Sequence, residues 1–138
     1  MPSISCKGRN FDLAIVPCPI DLLNPKNDVD NLINLIEDVS SDLGNVKLIV
    51  IDTLSRAISG GNENSPDDMG AFVKYVDKIR NSMDAHMMVV HHAGKDTAKG
   101  ARGHSLLRAA TDTELEVRLV GPSHVIRVRK QRDMEAGN

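Results

Sequence analysis

The chain has 138 residues, of which 41% are hydrophobic and 26% charged, and its formal net charge at pH 7 is −2. This length supports one domain with a hydrophobic core, and no apolar run approaches the roughly 18 residues of a membrane span. Residues 1–10 lack the apolar segment of a signal peptide, and two cysteines are too few for a disulfide scaffold. We therefore expect a cytoplasmic protein with reduced thiols and no membrane contact.

The first part of the chain predicts a strand followed by a helix. Residues 11–16 (FDLAIV) predict the strand, and residues 1–10 are expected to form a poorly ordered arm. Asn27 can cap the helix, with Pro25 just before it, and Gly44 should end it. Six apolar residues recur at helical spacing: Leu32, Ile33, Leu35, Ile36, Val39 and Leu43.

A second strand is predicted by the apolar run from Leu48 to Ile51, which is typical of a central parallel strand buried on both faces. The run ends at Asp52, and Thr53 and Ser55 follow. Open α/β sheets bind ligands at the carboxyl ends of their strands, and a short carboxylate there needs a cation or a donor nearby. Two interpretations remain open: Asp52 holds a metal ion, or it caps a turn.

A second helix and a third strand come next. Ser65 is the expected cap of the helix, and Pro66 suits its first position. The strand over residues 85–90 ends in His91 and His92. Adjacent residues of a strand point to opposite faces and rarely bind one metal ion together. The alternative to a metal site is a structural histidine that is hydrogen-bonded at the end of the strand.

The C-terminal part predicts a loop, a short helix and a hairpin. A loop over residues 93–104 precedes a helix that begins near Ser105. Strands over residues 114–120 and 124–130 should form the hairpin, with Arg127 and Arg129 on one face. Helices between short apolar strands predict βαβ units and a mostly parallel sheet covered on both faces.

Positive charge is concentrated towards the C-terminus. Residues 1–85 carry 8 Lys/Arg and 13 Asp/Glu, whereas residues 86–138 carry 9 and 6 and all five histidines. The loop over residues 93–104 combines glycines with Lys95, Lys99 and Arg102, which can attract phosphate regardless of sequence or simply be solvated. One Tyr, two Phe and no Trp exclude a surface that stacks single-stranded bases on aromatic rings.

Polar groups follow three of the predicted strands: Asp52 to Ser55, His91 and His92, and Lys130 to Arg132. Because carboxyl ends of neighbouring parallel strands meet at one edge, we expect all three on a common rim. Asp52 and one of the histidines should then lie roughly 5–10 Å apart. A neutral imidazole in that position can contact a phosphate or orient a water molecule.

Four separated blocks carry a family resemblance: VIDTLSRAISGGNENSPDDMG, VVHHAGKD, GARGHSLLRAATDTELEV and KQRD. In this order they resemble the RecA-like P-loop ATPase domain of plasmid RepA-type replicative helicases and of phage and bacterial primase-helicases, which are AAA family ATPases. The resemblance runs from about Phe11 to Glu135. It implies a three-layer αβα fold with a C-terminal antiparallel hairpin, and a hexameric motor that uses ATP and Mg²⁺ in DNA replication.

The resemblance also implies roles for the strand-end residues. Asp52 would be the Walker B aspartate on Mg²⁺, with Thr53 or Ser55 beside it. His92 would be the sensor histidine that faces the γ-phosphate, and His91 is the alternative.

Further roles concern loops and cations. The loops over residues 60–65 and 94–104 would face a central channel, where Lys95, Lys99 and Arg102 would bind nucleic acid. Lys130 and Arg132 match the Lys-x-Arg pattern that reaches the neighbouring subunit's nucleotide. A charged edge strand that discourages aggregation is the other interpretation of these two cations, together with Arg127 and Arg129.

The sequence departs from the family at its start. No GxxxxGK[ST] motif occurs, since the Gly-Lys pair at residues 94–95 is preceded five positions earlier by Val89 and followed by Asp96. The strand with the water-activating glutamate is also missing. We therefore expect a domain that is incomplete at the N-terminus, binds ATP weakly or not at all by itself without turning it over, and acts in a ring or with a partner that supplies the N-terminal half.

Two other functions remain open. One is a non-catalytic module for nucleic-acid binding or assembly on a degenerate RecA-like scaffold. The other is a metal-dependent hydrolase that uses Asp52, His91 and His92, which zinc analysis of the protein would test.

Overall fold

A computed structural model describes residues 13–92 and 102–133, with only the backbone described for Pro25, Leu43 and residues 102–104. The predicted arm over residues 1–10 lies outside the described residues. So do Lys95, Lys99 and the side chain of Arg102, and their predicted role stays a prediction.

The helices are a π-helical turn Pro25–Val29, α1 Asp30–Leu43, α2 Leu54–Ala57, α3 Pro66–Met83 and α4 Arg102–Ala110. The strands are β1 Leu48–Asp52, β2 His86–Val90, β3 Thr113–Val120 and β4 Ser123–Gln131.

The strands form two separate two-stranded sheets within the described part of the chain. β1 and β2 are parallel, with Leu48 opposite His86 and Asp52 opposite Val90, and α2 and α3 make the connection between them. β3 and β4 form an antiparallel hairpin, whose turn contains Gly121 with a positive φ of 60°. The predicted fold class is confirmed as mixed α/β with a parallel pair and a C-terminal hairpin, consistent with a partial αβα fold.

The helix α3 begins as the sequence predicts. The Ser65 hydroxyl accepts a hydrogen bond from the Asp68 amide at 3.3 Å, which satisfies one of the free N–H groups of the first turn. Met69, Phe72 and Ile79 are at most 1% exposed and belong to the hydrophobic core. No helix among the described residues is long and apolar enough to cross a membrane.

The helix α1 begins differently from the prediction. Asn27 lies inside the π-helical turn rather than at a cap, because helical hydrogen bonding has already begun at the Asn24 carbonyl, which accepts from Asp28 and Val29. The Asp28 carboxylate accepts from the Asp21 amide at 2.7 Å and ties the turn to the preceding segment. Gly44 ends α1 with a φ of 81°, as predicted.

Residues 13–16 do not form the predicted strand. Leu13 and Ile15 are 56% and 52% exposed. An apolar segment becomes a strand only when a neighbouring strand and a packed face stabilise it, and the described parallel sheet consists of β1 and β2 alone.

The prediction that β1 is buried on both faces is also wrong for the described residues. Ile49 and Ile51 pack against the core, whereas Leu48 and Val50 are 52% and 51% exposed. Met88 on β2 is 47% exposed. The described core packs against only one face of the sheet, because the β1 and β2 residues that contact it alternate along each strand.

Two isoleucine substitutions, one in the core and one on the exposed hairpin, should have different effects on the free energy of unfolding. Ile79→Ala should lower the free energy of unfolding by about 2–5 kcal/mol, because it leaves a cavity in the core. Ile126 is 67% exposed, so Ile126→Ala should change this quantity by less than about 0.5 kcal/mol. Urea denaturation followed by circular dichroism measures both, and equal losses would contradict the described core.

Candidate functional site

The register of β1 and β2 sets the position of the candidate site. Asp52 is the last residue of β1 and lies opposite Val90, the last residue of β2. His91 follows directly in the chain. Because adjacent strands are about 4.8 Å apart, the carboxylate-bearing end of β1 and the histidine-bearing end of β2 share one edge of the sheet.

Asp52 itself is exposed. The strand ends here, and the chain turns into the core with Thr53, which is 9% exposed. The Thr53 hydroxyl lies 3.0 Å from that of Ser55, and Leu54 begins the buried side of α2. The structure thus places one accessible carboxylate and two mutually hydrogen-bonded hydroxyls next to each other in the chain.

His91 is held by an acidic residue that the sequence analysis did not identify. Its Nε2 lies 3.0 Å from a carboxylate oxygen of Glu63, and the two side chains are 24% and 35% exposed. An ionised carboxylate only accepts hydrogen bonds, so Nε2 carries the proton and donates it. His92, by contrast, is exposed. The only sequence signal for Glu63 was an acidic residue in a glycine-bearing loop.

Lys130 lies at the C-terminal end of α4. Its Nζ donates to the carbonyl oxygens of Arg108 and Thr111, both at 2.6 Å, and of Ala109 at 3.3 Å. The last carbonyls of a helix have no partner within it and favour a cation. The ammonium group therefore closes the end of α4 and fastens β4 to it.

Arg132 makes similar contacts. It donates to the Ala109 carbonyl at 3.4 Å and pairs with the Asp112 carboxylate at 2.7 Å. The prediction that Lys130 and Arg132 share the rim of Asp52 is wrong, because the rule applies to neighbouring parallel strands and β4 belongs to a separate antiparallel sheet. Their role towards a neighbouring subunit stays a prediction.

The polar face of the hairpin is paired internally. Glu116 binds Arg118 at 2.6 Å and Arg129 at 3.2 Å, and Arg127 lies opposite Glu116 in the register. Arg127 and Arg129 thus share a face, as predicted. Arg108 of α4 pairs with Glu114 at 2.8 Å, which adds a second link between the helix and the hairpin.

The geometry does not support the zinc interpretation. In residues 13–92 and 102–133, no group of three or more His, Cys, Asp or Glu side chains is arranged to hold a metal ion. Asp52, His91 and His92 therefore do not form a preassembled metal site.

A protein-family model described as an AAA domain matches residues 8–98. The match covers well over half of the chain and includes Asp52, Glu63, His91 and His92. The chain belongs to the AAA domain family. Membership indicates an ATPase-type function, and the chain matches no curated protein. In this AAA domain chain, α4 and the β3–β4 hairpin lie beyond the matched range.

Replacing Lys130 should loosen the end of α4. In Lys130→Met the helix carbonyls lose their cation, at a cost of about 1–2 kcal/mol. The Thr111 amide, which donates to the Leu107 carbonyl at 3.1 Å, should then exchange its hydrogen faster. Lys26 is exposed in the π-helical turn, so Lys26→Met serves as the matched control. Equal Thr111 exchange rates in the two variants would show that Lys130 does not close α4.

Proposed function

We propose that this AAA domain chain forms part of a DNA-dependent ATPase of the replicative-helicase type, and supplies its Mg²⁺-binding aspartate and phosphate-facing histidine. The observation that carries the proposal is the register that sets Asp52 opposite Val90. It brings a carboxylate and an imidazole to one edge of a parallel sheet, within the range that the AAA domain family matches.

Asp52 fits the Mg²⁺ of a bound nucleotide. Mg²⁺ in nucleotide sites takes one or two carboxylates and completes its shell with phosphate oxygens and water. The Asp52 carboxylate is accessible, and Thr53 and Ser55 would supply hydroxyls beside it. When bound, Mg²⁺ would neutralise charge that develops on the transferred phosphoryl group.

The phosphate-facing imidazole belongs to His92 or His91. His92 is exposed at the end of β2 and has room for a ligand. His91 is half-buried and already oriented by Glu63. His92 could donate a hydrogen bond to a phosphate oxygen directly. His91 already donates its Nε2–H to Glu63, so it would need a second proton, on Nδ1, to donate to phosphate; both stay candidates for the sensor.

The chain is proposed to need other polypeptide segments for activity. The 138 residues contain no GxxxxGK[ST] loop to cradle phosphates. Without that cradle, Asp52 would hold Mg·ATP weakly, and ATP would not turn over.

Assembly into a ring, or with a partner that supplies the N-terminal half, is supported by exposed apolar surface. One face of the hairpin carries five large aliphatic residues that are each more than half exposed: Leu115, Val117, Leu119, Ile126 and Val128. Exposed apolar patches of this kind mark interaction surfaces, and a two-stranded hairpin is marginally stable by itself. Lys130 and Arg132 on the same hairpin would reach a neighbour's nucleotide by exchanging their α4 contacts for phosphate.

A non-catalytic assembly or DNA-binding module is the second candidate function. The same exposed hairpin face and the missing phosphate loop favour it. The two candidates differ in whether Asp52 responds to Mg·ATP at all.

Titration with Mg·ATP tests the proposed site. We expect a dissociation constant in the millimolar range, about −4 kcal/mol, and no ATP turnover. NMR signals of residues 52–55 and 91–92 should shift only when Mg²⁺ is present. Asp52→Asn should abolish these shifts, whereas Asp84→Asn should keep them, because Asp84 lies before β2, at its opposite end.

Two results of this titration would contradict the proposal in different ways. Micromolar, Mg²⁺-dependent affinity would show that the chain does not need an added phosphate cradle. If the NMR signal of Asp52 does not shift in about 10 mM Mg·ATP, roughly ten times the expected dissociation constant, the result would favour the non-catalytic module.

DNA binding tests the basic loop. Replacing Lys95, Lys99 and Arg102 together with Gln should weaken binding of a single-stranded oligonucleotide. It should also reduce the slope of log K against log salt by about 2, or about 0.7 for each lost phosphate contact. The control replaces three exposed lysines of the acidic part: Lys26, Lys47 and Lys74. Equal slopes in the two triple variants would exclude the loop as the DNA contact.

A further inference from the structure

The contact between Glu63 and His91 joins two parts of the molecule that are 28 residues apart in sequence. Glu63 lies in the loop between α2 and α3, and His91 lies at the carboxyl end of β2. The two side chains are 35% and 24% exposed, so their hydrogen bond is less screened by water than one on an open surface.

The loop presents Glu63 on a backbone that is fixed on both sides. The Asn62 amide donates to the Asp68 carboxylate at 2.9 Å, which anchors the loop to the first turn of α3. The Asn64 amide donates to the Asn62 side-chain oxygen, and the Ser65 amide to the Asn62 carbonyl, both at 2.9 Å. Gly61 donates to the Ile58 carbonyl at 2.6 Å. These hydrogen bonds fix the backbone around Glu63 independently of its side-chain contact with His91.

The contact also restricts the histidine. With Nε2–H donated to the carboxylate, the ring has one favoured tautomer and one orientation. A ring fixed in this way loses less freedom when a ligand binds at the end of β2.

We propose that Glu63 is a positioning residue for His91 and links the α2–α3 loop to the end of β2. The end of β2 and the α2–α3 loop then move as one unit. A ligand bound at either of them therefore changes the conformation of the other. The functional consequence of this link rests on the proposed function, in which the end of β2 is the candidate phosphate site and the α2–α3 loop is a candidate DNA contact.

The tautomer of His91 tests the contact directly. Long-range ¹H–¹⁵N spectra of the ¹⁵N-labelled full chain, recorded without nucleotide, should show His91 protonated at Nε2. Glu63→Ala should convert His91 to a mixture of tautomers. In Glu63→Gln the amide oxygen still accepts, so the Nε2–H form should persist but exchange its proton faster with water. Glu37→Gln, on the exposed side of α1, is the matched control and should leave the His91 signals unchanged.

Hydrogen exchange of the loop tests the link in the other direction. In His91→Ala the amides of residues 62–65 should exchange about tenfold faster, the factor expected for one lost hydrogen bond to a charged group. His124→Ala, at an exposed position of the hairpin, should leave them unchanged. An unaltered His91 tautomer in Glu63→Ala, or unaltered loop exchange in His91→Ala, overturns the proposal.

These spectra also separate this inference from the proposed ATPase function. If the His91 signals behave as expected but Mg·ATP causes no shift at Asp52, the ATPase role fails, and with it the meaning given to the link. If Mg·ATP shifts Asp52 but His91 is unaffected by Glu63→Ala, only the positioning role fails.

Discussion

Five paired positions, from Leu48 opposite His86 to Asp52 opposite Val90, hold β1 and β2 in parallel, and the candidate site depends on this pairing. A slip of one residue would turn every side chain of β1 to the other face. Both faces of β1 are apolar, so its own composition gives little protection against a slip. The burial of Leu54 and Ala57 directly after the strand supplies that protection, because it fixes where β1 must end. Packing in the core thereby determines the position of an exposed carboxylate.

The acidic character of this edge has a consequence for ligand binding. Asp52 and Glu63 both contribute carboxylates near the ends of β1 and β2, and repulsion from them opposes a polyphosphate. Glu63 is engaged by its hydrogen bond to His91, whereas Asp52 is exposed and is the carboxylate that the proposed function assigns to Mg²⁺. This arrangement is physically reasonable for a site in which Mg²⁺ arrives with the nucleotide and further positive charge comes from other segments or subunits.

The two cations at the C-terminal end of the hairpin illustrate how one side chain can have a structural role and a proposed functional one. Lys130 and Arg132 close the end of α4 through its free carbonyls, and this contact fastens the hairpin to the rest of the AAA domain chain. A role towards a neighbouring nucleotide would compete with these contacts. Assembly would then have to compensate for an opened helix end, and burial of the apolar hairpin face is the available source of that free energy.

The sequence by itself was sufficient for the features that depend on local chemistry. The cap at Ser65, the stop at Gly44 and the hairpin around Gly121 follow from hydrogen-bonding and backbone preferences of single residues. The parallel pairing and the fold class followed from the alternation of apolar strands and amphipathic helices. The start of α1 was missed because an ordinary cap was expected where a π-helical turn forms.

Only the tertiary structure decided which distant groups meet. The failure of residues 13–16 to form a strand, the open face at Leu48 and the placement of Lys130 and Asp52 in different sheets all depend on neighbours far along the chain. The Glu63–His91 contact is the same kind of fact, since its partners are separated by 28 residues. Local propensity acts over a few residues, whereas burial and side-chain pairing depend on how whole elements pack, and no single stretch of sequence specifies that.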